Sequence, residues 1–141
     1  LFEIVDGGSL KLDGLVIDGQ NSPDSSGNTL VRTQKWGMTQ NYRFVMSHSV
    51  IKNLDINHSF HFFESGKGAF ADKIALKNNK FTNITGDLLR LDKEIEDLGI
   101  VGINQRFYIG ITGRDNTVLD GVPKYPKFQI AIRLHEIQVG N

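Results

Sequence analysis

The 141-residue chain has no cysteine, which excludes a disulfide framework and any thiolate metal site. Proline is scarce, at three residues, and there is one tryptophan, Trp36. Sixteen basic residues are offset by sixteen acidic ones, with a pI near 7.1. That balance gives no general electrostatic footprint for nucleic acid or an anionic membrane, so any anion must be met by a local patch. No apolar run approaches the roughly 20 residues a membrane-spanning helix needs. GxSxG, HExxH, GxxxxGK[ST] and EF-hand signatures are all missing. Helical periodicity is nearly absent as well; "DLLRLDKEIEDLG" (87–99) is the best attempt at it.

Fifteen glycines and many Asn and Asp residues are present instead, bounding apolar runs of three to five residues in the manner of strands and turns. The chain also repeats itself. "SLKLDGLVIDG" (9–19), "RFVMSHSVIKNLDIN" (43–57), "KIALKNNKFTNITG" (73–86) and "QIAIRLHEIQVGN" (129–141) share one grammar, and "FYIGITGRDNTVLDG" (107–121) fits with a longer turn. Each has an apolar-x-apolar triplet, a polar turn and a second apolar pair. Between them lie "LVRT" (30–33), "FHFF" (60–63) and "LLRL" (88–91), whose centres Arg32, His61 and Arg90 are 29 residues apart both times. Short strands recurring at such a period mark a solenoid, in which no coil buries its own apolar face and each stacks on the next.

The expected fold is all-β, a right-handed parallel β-helix of about four to five coils. Its sharp corners need residues that tolerate a left-handed backbone, and Asn78 or Asn79 is the expected corner within 73–86. The competing reading is an antiparallel sandwich with Asp-Gly hairpins, which does not require the 29-residue recurrence. The loop 18–29 is polar, and 33–43, with Trp36, is expected to cover a neighbouring coil.

Stacking turns distant residues into columns. On the expected register Arg32, His61 and Arg90 face outward one above another, and three residues on come Lys35, Glu64 and Lys93. Arg32, His61, Arg90, Lys35 and Lys93 are therefore the candidate substrate-binding residues, since guanidinium groups bind carboxylates bidentately. A linear uronate polysaccharide offers such carboxylates in a row. The plainer reading is a solvated face balanced by Glu64, Asp92 and Glu94. A second outward ladder, Lys11, Val45, Ala75, Gly110 and Ala131, is mostly small or apolar, as a covered or interface surface is. His48, His58, His61 and His135 show no metal-ligand spacing. Glu94, Glu96 and Asp97 suit a solvated turn better than a Ca²⁺ site. The glycosylation-type triplets at Asn57 and Asn83 are more economically β-helix corners.

Residues 1 to about 99, including "SFHFF", "KGAFAD" and "LDKE", resemble the C-terminal β-helix of polysaccharide lyase family 6 enzymes, the alginate lyase and chondroitinase B family. Residues 100–141 match less well. The resemblance implies β-elimination on an anionic uronate polysaccharide such as alginate, with a Lys base, an Arg acid and Ca²⁺ in an N-terminal catalytic β-helix. No residue of this chain matches those motifs, so no catalytic or metal residue is assigned and a cofactor stays unknown. No initiator Met and no basic-then-apolar stretch precede "LFEIVDGG", and the expectation is a single domain, 1–141, that is a fragment or C-terminal domain of a longer secreted or periplasmic protein whose targeting signal lies elsewhere or is already removed. Its expected partners are the polysaccharide, the N-terminal domain and a second copy in a homodimer, with neither nucleic acid nor membrane. The alternatives are a structural or carbohydrate-binding β-helix without a lyase, and an autonomous enzyme using Arg90, His61 and Glu94.

Overall fold

The computed structural model describes residues 1–21, 29–54, 61–84, 87–91, 98–102, 106–111, 114–118 and 130–135. Among the described residues there are fourteen strands: β1 (Phe2–Ile4), β2 (Ser9–Asp13), β3 (Val16–Asp18), β4 (Thr29–Thr33), β5 (Tyr42–Ser47), β6 (Val50–Leu54) and β7 (His61–Glu64). They continue as β8 (Ala71–Lys77), β9 (Lys80–Ile84), β10 (Asp87–Arg90), β11 (Leu98–Val101), β12 (Arg106–Ile111), β13 (Arg114–Val118) and β14 (Ile130–His135). Among the described residues no helix is long and apolar enough to cross a membrane.

Every third strand pairs in parallel. β1, β4, β7 and β10 form one ladder, β2, β5, β8 and β11 a second, and β3, β6 and β9 a third. The described residues form a parallel β-helix with three complete coils and the start of a fourth.

The core is a set of vertical files, because each inward side chain lies over its equivalent one coil away. Phe2, Val31, Phe63 and Leu89 make one file; Leu10, Phe44, Ile74 and Leu98 a second; Ile17, Ile51 and Phe81 a third. Phe44 stacks on Phe63 with centroids 5.1 Å apart, and Phe62 meets Phe81 edge-on at 5.5 Å, both favoured aromatic arrangements. Tyr42 is buried among them, and burial pushes its phenol pKa well up, although its hydroxyl is hydrogen-bonded with Ser65.

The corners explain the asparagines. Gly14, His48, Asn78 and Gly102 follow the ends of β2, β5, β8 and β11, and each has positive φ, from 49° at His48 to 67° at Gly14. The backbone N–H of Gly14, His48 and Asn78 each donates to the carbonyl of the coil below or above, at 2.9–3.1 Å. At 102 glycine takes the left-handed φ without strain, and a Cβ there would have to displace the Asn78 carboxamide. The next residue, Asn79, is buried: its Oδ1 accepts from the Ser49 N–H at 3.0 Å and its Nδ2 donates to the Met46 carbonyl at 2.9 Å. Asn78 therefore bends the chain, while Asn79 satisfies the backbone polar groups that the bend leaves unpaired. The second corner uses Asn53 and Asn83, with φ of 58° and 52°. Asn83 is thus a corner, as its sequence context suggests; Asn57 lies outside the described residues.

The tail departs from the expected coils. β12 and β13 form an antiparallel hairpin, and β14 pairs antiparallel with both β12 and β10. The segments 107–121 and 129–141 were expected as further parallel rungs; their described parts are strands, but they pair antiparallel, and it is β14 that runs against β10 of the first ladder. Gly110 and Ala131 are paired with each other there. The second ladder instead reads Lys11, Val45, Ala75 and Gly99. Apolar alternation specifies a strand and its inward face but not its direction, since both sheet types share the period of two.

Asn79→Ala removes both partners of two buried backbone groups, and is expected to cost about 2–3 kcal/mol of stability. Asn78→Gly keeps the left-handed corner and is expected to change stability by less than about 1 kcal/mol. Chemical denaturation of the two variants checks this; a larger loss at Asn78 than at Asn79 contradicts the division of labour.

Candidate functional site

The outward face of the first ladder and the bends that follow its strands enclose an open groove of about 410 Å³. Among the described residues its chemistry comes from Arg32, Lys35, Trp36, Glu64, Lys67 and Arg90, four basic side chains against one carboxylate. Three of the five expected binding residues, Arg32, Lys35 and Arg90, therefore meet in one place.

The column itself is a correction. Arg32 pairs with Glu64, and Glu64 with Arg90. The outward file reads Glu3, Arg32, Glu64, Arg90, with charge of alternating sign. His61 is paired with Thr29, one end of the strand away from Arg32. The expected file of Arg32, His61 and Arg90, and with it the file of Lys35, Glu64 and Lys93, is out of register by three residues at the middle coil. The cause is a double inward step. Leu30 and Val31, Phe62 and Phe63, and Leu88 and Leu89 are all buried as consecutive pairs. Strict alternation across "FHFF" selects Phe60 and Phe62 as the flanks and thereby misplaces the centre. Lys93, Glu94, Glu96, Asp97 and His58 lie outside the described residues.

Arg32 Nε donates to Glu3 Oε2 at 2.7 Å, with side chains 60% and 41% exposed. An ion pair this open is worth no more than about 1 kcal/mol, so a ligand carboxylate competes for the guanidinium at small cost.

The wall carrying Lys35 and Trp36 is held from beneath. Asp6 Oδ1 accepts from the backbone N–H of Thr39 at 2.8 Å and of Gln40 at 2.7 Å, and Oδ2 from the Thr39 hydroxyl at 2.7 Å. Gln34 donates its backbone N–H to the Ile4 carbonyl at 2.8 Å and its Nε2 to the Trp36 carbonyl at 2.7 Å. The Gly66 N–H donates to Thr33 Oγ1 at 2.6 Å. A Cβ on Gly66 would collide with the carbonyl oxygens of Gln34 and Lys35, so the bend bearing Lys67 packs directly against the bend bearing Trp36. Segment 33–43 thus lies against the first coil through Asp6. Asp6, Gly66 and Lys67 were missed in the sequence, where nothing in their spacing announces them.

Elsewhere, Asp13 Oδ1 accepts from Ser47 Oγ at 2.6 Å and lies 3.0 Å from His48 Nδ1. The carboxylate sits between hydroxyl and imidazole, which is not the hydroxyl–imidazole–carboxylate order of a nucleophilic relay. Among the described residues no group of three His, Asp or Glu side chains is placed to hold a metal ion.

No protein-family model and no curated protein matches the sequence. Among solved structures it matches the PL6 family alginate lyase AlyGC, at 42% identity and a TM-score of 0.66, over 72% of this chain and 15% of that one. An arginine-to-alanine mutant of the same enzyme matches with the same values. The β-helix is similar, in sequence as well as fold, to part of a polysaccharide lyase. It spans 15% of that enzyme's length.

The Asp6 clamp carries a pH signature. The Gln40 backbone N–H first, and the Thr39 hydroxyl next, hold its carboxyl below the usual range. A carboxylate stabilised in the folded state contributes above its unfolded pKa, and the contribution is lost as pH falls through the folded value. The anisotropy of the sole tryptophan is expected to hold steady from neutral pH to about 4, near the ordinary carboxylate pKa, and to fall below it. In Asp6→Ala it is expected to be low throughout; an Asp6→Ala protein with unchanged anisotropy removes the clamp.

Proposed function

We propose that this β-helix is a non-catalytic, accessory part of a polysaccharide lyase that cleaves an anionic uronate polysaccharide, alginate foremost, by β-elimination, and that the groove on its first ladder holds the polymer. The observation that carries this reading is the 42% identity to an alginate lyase combined with four basic side chains around one groove. β-Elimination needs a base for the weakly acidic proton alpha to the uronate carboxylate, and a cation to neutralise that carboxylate. In this reading the groove supplies cations that hold the polymer, and the base lies on an N-terminal catalytic β-helix of the same protein. Arg32 and Arg90 grip carboxylates, and Lys35 and Lys67 hold the polymer between them. In this reading the protein works outside the cytoplasm, secreted or periplasmic, and a homodimer is its assembly.

A second reading has one observation in its favour. Glu3 and Glu64 alternate with Arg32 and Arg90 along the file, which is the arrangement of a purely structural charge ladder on a β-helix with no lyase attached.

Two measurements separate them. The isolated chain is expected to leave alginate uncleaved, with no rise in absorbance from unsaturated product, while the enzyme containing an upstream catalytic β-helix cleaves it. In calorimetric titration with an alginate-derived oligouronate, Arg90→Ala is expected to weaken binding roughly tenfold, the loss of one charge-assisted contact. Glu64→Gln is expected to tighten it by removing a repelling carboxylate. Glu64→Gln binding no tighter than the parent, or turnover by the isolated chain, overturns the proposal.

A further inference from the structure

Trp36 is 61% exposed and lines the groove beside the cations. Large aromatic side chains are ordinarily placed where their area is used, and this one is held out of the core on a bend that six hydrogen bonds and a packed glycine fix in place. Its backbone carbonyl is tied by Gln34 Nε2 at 2.7 Å, and the following residue, Gly37, has φ of 77°, so the indole is presented by a defined turn. Lys35 Nζ stands 5.9 Å from the indole centroid. That is a cation at the edge of cation–π range, close enough that an anion drawn to Lys35 arrives alongside the ring.

A pyranuronate matches this pair. It carries one carboxylate, for Lys35 or an arginine, on a ring whose axial C–H bonds form an apolar face that packs on an aromatic surface. A flexible polyanion without rings satisfies the cations and leaves the indole unused. Resting on the groove reading above, we infer that Trp36 is a stacking platform for a pyranose ring, and that the groove recognises a ring-bearing uronate rather than negative charge alone. The rigid bend matters here because a platform ordered before binding costs the ligand less conformational entropy.

The single tryptophan makes the test direct. The whole chain is titrated with an alginate-derived oligouronate and, separately, with polyaspartate, each followed by tryptophan emission and by calorimetry. The expected result is an emission change with the oligouronate. Trp36→Ala is expected to bind the oligouronate roughly three- to tenfold more weakly, the range for one aromatic contact, while its affinity for polyaspartate is unchanged. Trp36→Phe, which keeps an aromatic face, is expected to recover most of the loss. Calorimetric binding that Arg90→Ala weakens but that leaves emission and the Trp36→Ala affinity unaltered overturns the platform and leaves the groove standing. Absence of any calorimetric binding of the oligouronate overturns both.

Discussion

The backbone hydrogen bonds between coils are the constraint on which everything else depends. They fix each residue directly over its equivalent one coil away, so every property of the sequence becomes a property of a vertical file. Apolar files make the core, and the aromatic contacts among Phe44, Phe62, Phe63 and Phe81 follow from that stacking. Polar files make the surface. The hydrogen bonds keep register only if every coil turns at the same place, which is what the left-handed residues at 14, 48, 78 and 102 accomplish. A residue with a Cβ tolerates that conformation poorly unless its own side chain supplies compensation; glycine at two of these corners avoids the cost, and asparagine at a third is a residue that bears it well.

Much of this was legible. The alternation in "KIALKNN" marks β8, and the asparagine pair after it marks the corner. The absence of cysteine excludes disulfides, the short apolar runs exclude a membrane-spanning helix, and only 87–99 carries any helical periodicity. The resemblance of the first 99 residues to a polysaccharide lyase family fits the 42% identity to AlyGC. What alternation could not supply was register. Where a strand approaches a corner, two consecutive side chains turn inward, as at Leu30 and Val31 or Phe62 and Phe63. A pattern with three phenylalanines in four positions then admits two placements three residues apart. The equal spacing of Arg32, His61 and Arg90 favoured the wrong one. Coils in this fold need not be equal in length, because loops such as 34–41 absorb the difference outside the hydrogen-bonded ladder. The direction of β12, β13 and β14 was illegible for a similar reason, as local pattern carries no information about which strand a segment will meet.

The register also decides what kind of electrostatic surface the first ladder presents. Like charges stacked one coil apart, about 4.8 Å, repel by roughly 1 kcal/mol per pair even in water, and a solenoid multiplies that cost with every coil. Alternating Glu3, Arg32, Glu64 and Arg90 converts the penalty into weak attraction. A column of arginines would have been the stronger anion trap and the less stable protein. The cations offered to a ligand must then come partly from outside the ladder, and the bends after β4 and β7 supply them as Lys35 and Lys67.

That division has a consequence for how a β-helix acquires specificity. The ladder is rigid and periodic, so it can offer only what stacking permits; the bends escape the period and carry residues of any type. Trp36 belongs to a bend, as do both lysines, and the bends are held to each other by Gly66, which has no room for a side chain. The groove is therefore a composite, with charge spacing set by the coil repeat and ring contact set by the excursion. Changing the excursion alters recognition without touching a ladder hydrogen bond, so coil stability and ligand choice can vary independently. That independence follows from separating the core files, which point inward, from the clamp at Asp6, which acts only on the excursion through Thr39 and Gln40.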